Sequence, residues 1–238
     1  MTERTALERP PSLVGITIRR AAVAGRMYLT IGTGVSLVYT VALSLASTTA
    51  FESAFPLLLP VFGVLGGLGG MMVFTSDRVK GVLEYLLAYG MSPRRLFLDI
   101  LLASLVLLTI VLGVSLGVGL GIFLGKGNSI SLPFAEELLL YAIPMSYASA
   151  AFASTVGMFW SSLSSPREGM NSPLGLMPLI GIAPSLLTLI SYSVIAASHP
   201  VPFFEVAGVA LLVVLLLVLV LMSQVGRLLA AERLLSPT

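Results

Sequence analysis

Charge is scarce in this sequence. Asp, Glu, Lys and Arg make up 10% of the 238 residues, and hydrophobic residues make up 57%. A soluble domain of this size carries roughly a quarter charged residues. Burying so much apolar side chain in one water-surrounded core would leave too little polar surface. Lipid removes that difficulty. Cysteine is absent, which excludes disulfides, thiolate metal sites and cysteine nucleophiles. The single histidine, His199, follows Ser198 and precedes Pro200 and Pro202, and reads as a solvated loop residue. The net charge of +2 is too small to argue for nucleic acid. There is no Gly-rich phosphate loop with its Lys and Ser/Thr. No ionisable residue sits in the middle of a long apolar interval. Ion-coupled carriers usually need one there, or a broken helix, and an intramembrane serine protease would need a base beside its serine. No catalytic residue and no cofactor or metal site are therefore expected in this chain, which does not read as an enzyme.

What is present is a series of charge-free intervals. They hold 25 residues between Arg26 and Glu52, 24 between Glu52 and Asp77, and 26 between Asp99 and Lys126. Another 29 lie between Glu137 and Arg167, 36 between Glu168 and Glu205, and 21 between Glu205 and Arg227. A helix needs about 20 residues to cross the hydrocarbon. Spans are predicted near 28–48, 56–75, 100–124, 138–160, 174–196 and 205–224. Under that alternation 12 of the 13 basic residues fall on one side, and only Lys126 falls on the other. The positive-inside rule then places both termini in the cytoplasm of a multi-pass cell-membrane protein. The expected fold is all-α: a polytopic membrane helix bundle with six transmembrane helices.

Residues 1–27 read as a cytoplasmic segment ending in an interfacial helix from about Ser12. Arg19 and Arg26 share one side of it, and Arg20 does not. The first apolar run begins only after this Arg-bearing segment, so no cleaved leader is expected. Residues 28–225 form the transmembrane domain, with a loop at 76–98, and residues 226–238 a cytoplasmic tail. Two spans carry small residues at spacing four. Gly63, Gly66, Gly67 and Gly70 lie in the second, and Gly113, Gly117, Gly121 and Gly125 in the third. Ala142, Ser146, Ala150 and Ser154 form a softer version in the fourth. Such stripes let helix backbones approach closely. The stripe of the third span is expected to face a neighbouring span of the same subunit rather than lipid.

The loop is the most informative segment. On one continuous helix Asp77, Lys80, Gly81, Glu84 and Ala88 share a polar face, and Val79, Val82, Leu83, Leu86 and Tyr89 share the other. Gly90 is placed to end that helix. Ser92 followed by Pro93 is a start signal for the next.

This loop resembles that of the permease subunits of type-2 ABC exporters. The matching residues are Asp77-Arg78, Gly81, Leu83-Glu84, Leu86-Leu87, Ser92, Arg94-Arg95 and Leu96. The chain departs from the pattern at Gly90, where the family often has a proline, and at Asp99, where it often has a lysine. The resemblance implies an N-terminal interfacial helix and a cytoplasmic coupling helix. It implies a permease paired with a second, identical or different, permease subunit in membrane lipid. Each permease would dock on a separate ABC ATPase subunit, which binds ATP and Mg. Asp77, Arg78, Lys80, Glu84, Ser92, Arg94 and Arg95 would then make the coupling contacts, with no nucleic acid involved. Drugs, lipids, antibiotics, glycans and ions are substrates in such families, and the apolar spans do not select among them. A second resemblance, to haem-exporter-like permeases of cytochrome c maturation, rests on Arg167-Glu168, Pro173, Leu176-Met177-Pro178-Leu179 and Pro184. Outside transport, a membrane scaffold or assembly protein would use the same small-residue packing without needing the amphipathic loop.

Overall fold

The computed structural model describes residues 13–163, 183–192 and 203–228, and all secondary structure among them is helical. In chain order the helices are α1 (Leu13–Ala24), α2 (Arg26–Leu45), α3 (Thr48–Val79), α4 (Val82–Ala88) and α5 (Pro93–Gly125). They continue as α6 (Leu132–Glu137), a π-helical turn at Leu138–Ala142, α7 (Ile143–Leu163), α8 (Ala183–Tyr192) and α9 (Phe203–Leu228). Four helical stretches are long and apolar enough to cross a membrane: Thr48–Val79, Pro93–Gly125, Leu132–Ser162 and Phe203–Gln224. A fifth counts if α1 and α2, which meet at 75°, are taken together. Only 183–192 of the predicted fifth span, and none of Arg4, Arg9, His199 or Arg233, falls among the described residues.

The spans are longer than the charge-free intervals. α3 has 32 residues and α5 has 33, so each is about 50 Å long at 1.5 Å per residue, against about 30 Å of hydrocarbon. Both are therefore longer than an apolar slab is thick. Ser47, Ser92 and Ser131 cap the starts of α3, α5 and α6 by accepting hydrogen bonds from the amides of Ala50, Arg95 and Phe134.

α3 is the central helix and packs most extensively on α7. The contact is backbone against backbone. A Cβ on Gly63 would overlap the Ser146 carbonyl, and one on Gly67 the Ala150 carbonyl. On the same helix a Cβ at Gly66 would lie 2.9 Å from Leu108 Cβ, and one at Gly70 2.9 Å from Ser104 Cβ, both on α5. The small-residue stripes of α3 and α7 thus face each other. Hydroxyls tie the seam: Ser154 donates to the Gly67 carbonyl at 2.6 Å, and Ser104 lies 2.9 Å from Ser154. Phe51, Phe55 and Phe123 stack beside it, at 4.7 and 4.6 Å between centroids.

The stripe of α5 behaves otherwise, and the expectation for it is overturned. A Cβ on Gly113, Gly117, Gly121 or Gly125 would meet nothing within 4 Å. The buried face of α5 is the one bearing Leu108, Leu112, Ser115, Gly119 and Phe123. Gly119 is the glycine that makes a close approach there, with Thr40 Cγ2 2.7 Å from its would-be Cβ. Bulky side chains fill the α2–α3 side, so the glycines are left on the open one.

Two ends can be distinguished. One gathers α1, the end of α3, α4 and the start of α5, and is called here the loop end. At the other, Lys126 reaches the last turn of α2, and Nζ donates to the carbonyls of Ser44, Leu45 and Ala46, each at 3.2 Å. A cation on the free carbonyls of a helix C-terminus is favourable there. The one basic residue that falls on the sparse side therefore has a structural task. Lys126→Met is expected to cost about 1 kcal/mol of stability, modest because the side chain is exposed. A thermal melt in detergent would check it, and an unchanged midpoint would deny Lys126 this role.

Candidate functional site

At the loop end, what the sequence pattern reads as one helix is two segments, the end of α3 and the separate helix α4. α3 does not stop at the predicted end of its span. It runs on through Ser76, Asp77 and Arg78 to Val79. Gly81 then takes a left-handed conformation, φ 69°, which L-residues with a Cβ rarely adopt. α4 is a separate helix of seven residues. Gly90, φ 83°, closes it, and its amide donates to the Leu87 carbonyl at 3.0 Å. Ser92 and Pro93 start α5 as their order predicts.

The break at Gly81 resets the helical phase, and this changes which residues face outward. Asp77 and Arg78, both expected among the coupling contacts, make contacts within the chain, and Asp77, expected on the polar face, is buried. Asp77 is 6% exposed. Its carboxylate pairs with the Arg20 guanidinium of α1. Arg78 Nη1 donates to the carbonyl of Ser161 in the last turn of α7, and Thr75 Oγ1 lies 3.2 Å from Ser161 Oγ. The two charges are spent inside the chain, joining the end of α3 to α1 on one side and to α7 on the other. Glu84 is half-buried and leans back toward Gly81. Lys80, Ser92, Arg94 and Arg95 are not buried and remain at the surface.

Two surface residues escape the sequence pattern. Tyr85 and Tyr89 are 59% and 76% exposed, with ring centroids 4.5 Å apart. Their hydrogen bond, with a smaller contribution from lost water, pushes the Tyr85 phenol above its ordinary pKa. The pattern places Tyr89 on the apolar face because it runs one helix through Gly81. With α4 starting at Val82, Leu83 turns inward, to 1% exposure, and the two tyrosines turn out one turn apart. The usable signal in the sequence is the aromatic pair at spacing four, beginning one turn after a glycine.

α1 lies against this site. Thr17 and Ala21 are buried, Arg20 is half-buried and Arg19 is exposed. A small cavity of about 160 Å³ remains between α1, α3, α4 and α5, bordered by Thr17, Arg20, Asp77 and Asp99. At the elbow between α1 and α2, a Cβ on Gly25 would lie 3.1 Å from Gly69 Cα. Among the described residues no group of three or more His, Cys, Asp or Glu is placed to hold a metal. The segment that carries the haem-exporter-like resemblance lies outside the described residues except for Pro184, in the first turn of α8.

Comparison with protein-family models, with curated proteins and with solved structures finds no match to this chain.

Proposed function

We propose that this chain is the membrane subunit of an ATP-driven exporter of the type-2 ABC kind, docked through α4 on a separate ATPase. The observation that carries the reading is the surface of the loop end. An exposed tyrosine pair at Tyr85 and Tyr89, and exposed Lys80, Arg94 and Arg95, belong to the same loop end, where a short helix is held between two spans. Tyrosine and arginine are the residue types that most often anchor a protein interface. In water such a surface does nothing for the fold.

The same geometry supplies a route for motion. A push on α4 reaches α3 through Gly81 and α5 through Gly90. It reaches α1 through the Arg20–Asp77 pair and α7 through Arg78 and Ser161. Four of the packed helices thus share one lever. ATP and Mg belong to the partner, and this chain supplies the pathway and the coupling. In this reading the loop end is cytoplasmic, α2 is the first of six spans and α8 with its flanking residues the fifth. A second permease subunit completes the pathway.

Topology is tested with single cysteines, since the chain has none of its own. Ser129→Cys is expected to react with an impermeant thiol reagent added outside, and Ser92→Cys is not. External labelling at 92 would reverse the orientation and remove the ATPase docking surface from the cytoplasm. Tyr85→Ala/Tyr89→Ala is expected to weaken ATPase binding about tenfold or more. Its unfolding midpoint should stay near that of the parent, because both side chains are exposed. Equal ATPase binding by the two proteins would take α4 out of the interface.

A further inference from the structure

One cavity among the described residues lies away from the loop end. It is a groove of about 610 Å³ between α7, α8 and α9, within the usual range for a small-molecule site. On α9 it runs from Glu205 to Leu217, and Phe152 of α7 and Leu187 of α8 border it. Its walls are apolar with two exceptions, Ser191 and Glu205. These share one end. Tyr192 packs edge-on against Phe203 at 5.1 Å, which sets the end of α8 beside the start of α9. Glu205 is the only ionisable residue among those lining the groove.

The dimensions describe an occupant. Twelve residues of helix rise about 18 Å, a little more than half of the about 30 Å hydrocarbon thickness. The groove therefore begins at a membrane interface, where Glu205 sits in the first turn of α9, and ends past the middle. It follows one leaflet. Val206 and Val214 are 9% and 5% exposed and form the floor, whereas Val209 and Val213, at 65% and 46%, stand at the open flank. One alkyl chain can enter sideways from lipid and lie along α9. Its head would then meet a carboxylate and a hydroxyl. A phosphate or carboxylate head would be repelled there, and an ammonium would be attracted.

We propose that this groove binds a single-chain amphiphile with a cationic amine head, the head at Glu205 and Ser191 and the chain along α9. The site needs no ATPase and does not depend on the transport reading.

The test uses the full chain in phosphatidylcholine nanodiscs. The sequence has one tryptophan, Trp160. Trp160→Phe with Phe152→Trp leaves a single fluorescent reporter bordering the groove. The probes are a brominated long-chain alkylamine and the matching brominated fatty acid and alcohol, whose bromines quench tryptophan on contact. The amine is expected to reach half-quenching at about two- to fivefold lower mole fraction than the others, the upper part of the range for one exposed charge pair. Glu205→Gln should abolish that preference. A reporter at Leu215, on the opposite side of α9, should be quenched equally by all three. Equal quenching of the groove reporter by all heads would make it an ordinary lipid surface and overturn the proposal. Absence of quenching there would mean that protein fills the groove, with the same consequence. Should Phe152→Trp fail to fold, Val213→Trp at the flank gives the same readout.

Discussion

Gly67→Leu is expected to prevent stable assembly of the bundle, whereas Gly117→Leu leaves it folded. At Gly67 the obstacle is the carbonyl of Ala150, a backbone atom of a packed helix that cannot rotate aside. The two helices must separate, and separation also breaks the Ser154 hydrogen bond to the Gly67 carbonyl. Overpacking costs typically 1–3 kcal/mol when side chains can yield, and here they cannot, so the upper end or beyond applies. At Gly117 nothing lies within 4 Å of the new Cβ, and the leucine enters open space or lipid. Gly119→Leu falls between the two in kind. Its neighbours are the Thr40 and Phe55 side chains, which can shift at a cost. Monodispersity and melting temperature in detergent rank the three. Equal behaviour of Gly67→Leu and Gly117→Leu would mean that the α3–α7 seam is not a close backbone contact.

Arg20→Ala is expected to release α1 from the loop end. The Asp77 side chain is 9% exposed and the Arg20 side chain 31%. Removing the arginine leaves a carboxylate shut away from water with its partner gone. For a fully buried pair that costs 3–5 kcal/mol, and the partial exposure of Arg20 lowers the figure to about 1–3 kcal/mol. Asp77→Ala together with Arg20→Ala should recover part of the loss, because no charge is then stranded. Hydrogen exchange over residues 13–24 and 76–81 reads the effect locally. Unchanged exchange in Arg20→Ala would show that apolar contacts alone hold α1.

The contrast between these sites shows how far a sequence can be read. Charge-free intervals are enough to locate α2, α3, α5, α7 and α9, because a charge in hydrocarbon is costly whatever surrounds it. They understate the lengths of α3 and α5, since a helix does not end where the membrane does. Small residues at spacing four announce a groove but do not say what fills it. The glycines of α3 meet the stripe of α7, while those of α5 lie open because Leu112, Ser115 and Phe123 already face inward. At the loop the residue types are legible and their directions are not. One glycine in a left-handed conformation shifts the helical phase. It turns the two tyrosines toward water, while Asp77, on the unbroken end of α3, meets Arg20. The partner of Asp77 lies 57 residues away in sequence, and no local pattern announces it.

The central claim is that α4 docks an ATPase and that its motion drives the spans. It is tested most directly by purifying the chain from membranes of its own source and measuring ATP hydrolysis in the eluate. An associated ATPase polypeptide is expected, with hydrolysis dependent on Mg. Both should be lost in the variant carrying Tyr85→Ala, Tyr89→Ala, Arg94→Ala and Arg95→Ala, which should still elute as a folded, monodisperse protein. An ATPase that binds this variant as well as the parent would contradict the account, as would a folded parent chain that carries none.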